Sequence, residues 1–228
     1  MKHAHVTIKP ELSAQRRTHP PNPALPNAIR ALLQSDGDSD KLGRIADLGC
    51  GKLRHYDQLL RLSTEFFLID TSAQLSANHV DQGLTYNVLQ VAQSARKLGR
   101  KVYAITSEEF AKSKLRLRAI FCIAVLDVIP RPVRRTLIES AARNLALRGS
   151  LVIIAPRNDS TILRRCTPGN SYLDGHVFEN HGAYTFFHNF RQYDDIIKDC
   201  KQSGLELFLD LSRYRQVCLL FSKQGTRS

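Results

Sequence analysis

Two hydrophobic periods alternate along this chain. Short, largely apolar runs fall at residues 44–48, 66–69, 102–106, 117–125 and 150–155, and 66–69 is apolar throughout, the mark of a strand buried on both faces. Between them, apolar positions recur every three to four residues, as on one face of a helix. Such segments are expected at 27–34, 52–62, 71–79, 85–98, 130–146 and 191–202. In the 52–62 segment the stripe is Leu53, Tyr56, Leu59 and Leu60, and in 130–146 it is Val133, Leu137, Ala141 and Leu145. Two closing runs, 205–211 and 216–221, are joined by a turn too short for a parallel crossover, so that pair must be antiparallel. Residues 156–189 show neither period and read as a long irregular segment rich in Gly, Asn, His and aromatics.

Strands alternating with helices imply a parallel sheet covered on both faces. The expected fold class is therefore α/β: a Rossmann-like, doubly wound, mostly parallel seven-stranded sheet with an antiparallel last strand. Residues 1–26 are basic and proline-rich, ending Pro20-Pro21-Asn22-Pro23-Ala24-Leu25-Pro26, which forbids a regular helix. They read as an N-terminal arm, with a single domain over 27–228. No apolar run is long enough to span a bilayer and Met1-Lys2-His3-Ala4-His5 lacks the apolar stretch of a leader, so a cytoplasmic protein without a membrane partner is expected. The five cysteines contain no Cys-x-x-Cys, which points to reduced thiols rather than a disulfide scaffold or a zinc site.

Charge adds a second theme. The formal net charge is +12, with basic residues concentrated at Arg96-Lys97, Arg100-Lys101, 112–118 and 131–135. Such a field attracts polyanions, and a solvated basic face on an ordinary enzyme would look the same.

Candidate chemistry begins at Asp47-Leu48-Gly49-Cys50-Gly51, where an apolar strand ends in an acid and a glycine turn. Glycine permits positive φ and close approach of backbone to a ligand. A second acid, Asp70, ends the next apolar run about 20 residues on, where ribose hydroxyls are bound in sheets of this type. These residues, with Leu68-Ile69-Asp70, the 124–130 segment Ala-Val-Leu-Asp-Val-Ile-Pro and the 147–156 turn and strand, resemble the class I S-adenosylmethionine-dependent methyltransferases over about residues 27–223.

That resemblance implies S-adenosyl-L-methionine as cofactor, held by Asp47, Gly49, Cys50, Gly51, Asp70, Thr71, Ser107, Glu108, Ala124 and Val125. Asp47 would orient the amino end of the methionine and Asp70 the ribose. Ser107 or Glu108 would bind the adenine amino group, and Ala124 and Val125 would lie near sulfonium and adenine. Lys52 and Arg54 are candidates for the cofactor carboxylate, or solvate the first helix. The family's usual third glycine is replaced by Leu53, which disfavours a dinucleotide pyrophosphate.

On the acceptor side Asp127 is the tentative catalytic candidate, with capping of the following helix as its ordinary alternative. His55 and residues of 156–189, including Asp174, His176, His181 and His188, are further candidates, and the histidine spacing argues against a metal set. The tetrapeptide of amino-methylating DNA enzymes is missing after the fourth strand, and Cys122 is not preceded by proline. Two acceptor classes stay open: a nucleic acid such as RNA, drawn by the basic clusters, or a small molecule. A third reading is a cofactor-binding partner subunit without transfer activity.

Overall fold

The computed structural model describes residues 22–35, 37, 40–81, 84–157, 171–180, 183–188, 190 and 193–224. Its centre is a seven-stranded sheet formed by β1 (Gly43–Leu48), β2 (Ser63–Asp70), β5 (Val102–Thr106), β6 (Leu117–Ile123), β7 (Leu145–Pro156), β11 (Leu205–Asp210) and β12 (Gln216–Lys223). The order across the sheet is β11-β12-β7-β6-β1-β2-β5. β12 runs antiparallel to both neighbours, and the other neighbouring pairs are parallel. The doubly wound sheet inferred from the strand runs is thus the fold observed.

Alternation within each strand feeds two cores. Phe66 and Leu68 face one side with Ile45, packing on α1 (Leu25–Ser35), α2 (Tyr56–Leu62) and α4 (Val88–Lys97). Phe67 and Ile69 face the other with Ala46 and Leu48, packing on Phe110 of α5 (Ser107–Lys112), Ile138 and Ala141 of α6 (Arg131–Asn144), and Ile196 and Cys200 of α7 (Asp194–Gln202). A strand apolar at every position is what a sheet covered on both sides requires.

Several expectations need correction. The helix expected over 52–62 begins only at Tyr56, because Leu53 adopts a left-handed φ of 59° and the chain turns there. The helix expected over 71–79 is the short α3 (Ser72–Ser76), and two short strands, β3 (His79–Asp81) and β4 (Leu84–Tyr86), pair antiparallel after it. β6 stops at Ile123 because Ala124 takes φ 55°. In α6 the inward stripe is Arg134, Ile138 and Ala141, whereas Val133 is 50% exposed. A charged residue at the head of an inward stripe is invisible to a search for apolar periodicity.

The 156–189 segment is not wholly irregular. It contains a small antiparallel sheet, β8 (Ser171–Tyr172), β9 (Gly175–Asn180) and β10 (Ala183–Phe187). Of the expected arm, residues 1–21 lie outside the described residues, and Leu25 is already a buried member of α1. Cys50, Cys122, Cys200 and Cys218 are buried and free. Cys166, Asn158, Asp159 and His181 lie outside the described residues. No described helix is long and apolar enough to cross a membrane.

Candidate cofactor crevice

Open parallel sheets bind ligands beyond the carboxyl ends of their strands, where the strand order reverses. Here that point lies between β1 and β6. Gly49 leaves β1 with φ 79°, and its amide donates to the Ile69 carbonyl at 2.7 Å. A Cβ built on Gly49 would stand 2.2 Å from Val125 Cγ2. The glycine turn and the segment after β6 are therefore in contact across the crevice, and only a residue without a side chain fits between them. Ala124 is exposed at its rim, and its amide donates to the Ile154 carbonyl at 2.8 Å.

Asp70 organises the turn. Its Oδ2 accepts from the Gly51 amide and its Oδ1 from the Thr71 amide, both at 2.8 Å. Thr71 in turn caps α3, its hydroxyl accepting from the Gln74 amide. Asp47 is buried at the end of β1, and desolvation together with the negative charge of Asp70 pushes its carboxyl up to about 7. Two acids at the ends of adjacent strands, one of them out of water, favour a cation over an anion beside them. Burial holds the Cys50 thiol well above its ordinary value, so it is a wall and not a nucleophile.

At the end of β5, Thr106 and Glu109 form a reciprocal capping box: the Thr106 hydroxyl accepts from the Glu109 amide at 3.1 Å and Glu109 Oε2 from the Thr106 amide at 2.7 Å. Glu109 is thereby committed to the helix start, and Ser107 and Glu108 remain at the carboxyl end of the strand. Leu53 stands where a third glycine is usual, yet keeps the left-handed conformation that glycine favours. The strand pair missed in the sequence braces this loop, the Tyr86 hydroxyl donating to the Lys52 carbonyl at 3.0 Å. His55 is buried beneath it, and desolvation drives its imidazole down to about 4.

A second constellation joins the start of α6 to the small sheet. Arg134 is 2% exposed and pairs with Asp174 in the β8–β9 turn. Its guanidinium also donates to the Ile129 carbonyl at 3.1 Å and lies 5.4 Å from the Phe190 ring centre. Asp174 further accepts from the Arg131 amide at 3.0 Å and stands 3.3 Å from His188 Nδ1. The His188 amide donates to the Asp127 carbonyl at 2.7 Å. The Asp174 carboxylate thus ties the small sheet to the start of α6, and the His188 amide ties it to the loop after β6. Burial, then the Arg134 charge, holds the His188 imidazole below its ordinary value.

Asp127 itself is 1% exposed, and α6 is capped by Pro130 without a side-chain bond, so Asp127 does not cap that helix. The 131–135 basic cluster is not a surface patch. Arg134 is buried, and Arg131 is engaged by Asp195 at 3.0 Å and Asp199 at 3.2 Å. A buried arginine flanked in sequence by exposed ones carries no local signal of its burial.

No protein-family model matches the chain. YmfD, an uncharacterized protein of Escherichia coli (strain K12), is 22% identical over 208 residues, which cover 91% of this chain and 89% of YmfD. A methyltransferase structure from Methanosarcina mazei superposes with TM-score 0.62 at 12% identity, covering 90% of this chain and 99% of that one. The 1,6-didemethyltoxoflavin-N1-methyltransferase of Burkholderia thailandensis, solved with its 1,6-didemethyltoxoflavin and S-adenosylhomocysteine, gives 0.59 at 12%, covering 90% and 80%. Magnesium protoporphyrin IX methyltransferase from Synechocystis PCC 6803, also with S-adenosylhomocysteine, gives 0.56 at 19%, covering 87% and 81%. Identities this low speak for architecture: the chain has the fold of the class I S-adenosylmethionine-dependent methyltransferases.

Proposed function

We propose that this protein is an S-adenosylmethionine-dependent methyltransferase acting on a small-molecule acceptor. The observation that carries the reading is the carboxyl pair Asp47–Asp70 beside Gly49, where a side chain would strike Val125. A pyrophosphate would meet two acids there, whereas an ammonium or sulfonium cation is complemented by them. The residues therefore suit the methionine-bearing cofactor better than a dinucleotide.

In this reading Asp47 faces the cofactor's ammonium group, and Asp70 keeps the Gly51 turn in place while accepting from ribose hydroxyls. Gly49, Cys50 and Gly51 form the floor, Thr71 closes the ribose side, Ser107 and Glu108 take the adenine amino group, and Ala124 and Val125 form the wall. When bound, the cofactor supplies an electrophilic methyl group. The chain's share of the work is alignment, which provides much of the rate in a displacement of this kind. Asp127 acts on the acceptor side by fixing the 126–130 loop and, through its carbonyl, His188. The basic row that recommended a nucleic-acid acceptor is not gathered at this crevice, and the two solved neighbours whose names give an acceptor are named for small molecules, 1,6-didemethyltoxoflavin and magnesium protoporphyrin IX.

Calorimetry with S-adenosylhomocysteine tests the cofactor site. Asp70→Ala is expected to weaken binding by about 1–3 kcal/mol, the loss of charged hydrogen bonds; unchanged affinity would reject Asp70 as a ligand. Labelled methyl from the cofactor tests the acceptor. Label is expected in the small-molecule fraction of an extract, label in precipitated RNA would favour the nucleic-acid reading, and binding without any transfer would favour a non-catalytic subunit.

A further inference from the structure

The amino edge of the sheet, opposite the crevice, concentrates the basic charge. Ile45, Phe66, Val102, Ala119 and Ser150 lie on one register line across β1, β2, β5, β6 and β7. Within three residues upstream of that line stand Arg44, Arg100, Lys101, Arg116, Arg118 and Arg148. Among the described residues the same positions hold one acid, Glu65, and Arg44 Nε already pairs with it at 2.9 Å. Neighbouring strands are about 4.8 Å apart, so the row from β7 to β5 spans roughly 19 Å.

Helix dipoles explain part of the basic character here but not the row. Arg96 and Lys97 of α4, Lys112 of α5 and Arg143 of α6 occupy last helical turns, where cations are favoured. Arg100, Lys101, Arg116 and Arg148 lie beyond the helices, exposed to solvent. Arg116 and Arg148 hold left-handed φ values of 53° and 60°, a conformation better suited to glycine. Their long cationic side chains thus stand on bends where local backbone preference does not select them.

We infer that this edge is a docking surface for the phosphate backbone of a nucleic-acid duplex, separate from methyl transfer. A narrow line of cations matches a linear array of phosphates. No aromatic side chain among the described residues is exposed along the row, so the base-stacking platforms of single-strand binders are missing. Two exposed leucines, Leu98 and Leu147, stand at opposite ends of the row, entering β5 and β7, and form no continuous apolar patch for a bilayer. The inference does not rest on the methyltransferase reading.

Fluorescence anisotropy with a labelled DNA duplex of about 20 base pairs tests it. Five or so phosphate contacts predict a log–log salt slope of about −4 to −5, and a loss of roughly 10²–10³ in affinity between about 50 and 200 mM salt. Arg116→Glu with Arg148→Glu should weaken binding at least tenfold and flatten the slope. Arg213→Glu with Arg215→Glu, the same charge change in the turn beyond β11 at the opposite edge, should have a much smaller effect. Thermal unfolding checks that each variant is folded, and Arg100→Glu with Lys101→Glu repeats the test away from the strained bends. Absence of duplex binding, equal losses in both pairs of variants, or preferential binding to phosphatidylserine vesicles would each overturn the inference.

Discussion

The two edges of one sheet differ in almost every physical respect. At the carboxyl edge, Asp47 and Asp70 end adjacent strands, the first of them buried and resisting ionisation. At the amino edge, basic residues enter β5, β6 and β7 and face water. Tight backbone approach occurs at both, but with different partners. Gly49 abuts the Val125 side chain across the crevice, whereas a Cβ on Gly149 would stand 2.7 Å from the Leu117 carbonyl, inside the fold. Close packing at one edge sets the glycine turn against the loop after β6, and at the other it joins β7 to β6. A net charge summed over the chain conceals this separation between an acidic edge and a basic one.

The comparison is broken most decisively at the glycines. Gly49→Ala combines a forced contact with a left-handed backbone and should cost about 4 kcal/mol of stability and abolish binding of S-adenosylhomocysteine. Gly149→Ala should cost about 1–3 kcal/mol from the backbone clash and leave affinity in the folded fraction unchanged. Urea unfolding and calorimetry read both, and loss of binding by the Gly149 variant would show that the edges are not independent.

A pH-dependent effect sharpens the electrostatic contrast. The Asp47 carboxyl has its folded value raised to about 7 from an ordinary 3.8, so folding favours its protonated form. Its contribution to stability is complete below about pH 4 and is lost as pH rises to 7 and beyond, by on the order of 4 kcal/mol. Asp47→Asn should therefore be more stable than the parent at pH 8, nearly equal at pH 4, and flatter in between. Unfolding measured across that range with parallel profiles for the two proteins would contradict the burial-driven shift. The smallest effect is expected at Leu53. Replacement by glycine relieves a left-handed side chain while loosening the unfolded chain, so stability should change by less than about 1 kcal/mol. A loss above about 2 kcal/mol would mean that the packing of Leu53, not its backbone, holds the loop.

Most of the sheet was legible in the residues. Runs such as Phe66–Ile69 are apolar throughout because each neighbour faces a different core, and that requirement is written locally. The glycine turn, Asp70 and the antiparallel closing pair were legible for similar reasons: positive φ, an acid at a strand end and a short connection are local facts. The β3–β4 pair was not, because three-residue strands leave no periodicity to detect. The β8–β10 sheet was hidden by its polar and aromatic composition.

The order of apolar runs and turns by itself determined an open, doubly wound sheet with an acid-and-glycine crevice at β1 and β2. Tertiary structure alone decided that Arg134 is buried against Asp174, that Val125 closes on Gly49, and that Arg100, Lys101, Arg116 and Arg148 line up at the edge remote from the crevice. The reason is range. Strand burial and turn conformation are set by neighbours in sequence, whereas the partner of a charge and the edge it occupies depend on which distant strands the fold brings side by side.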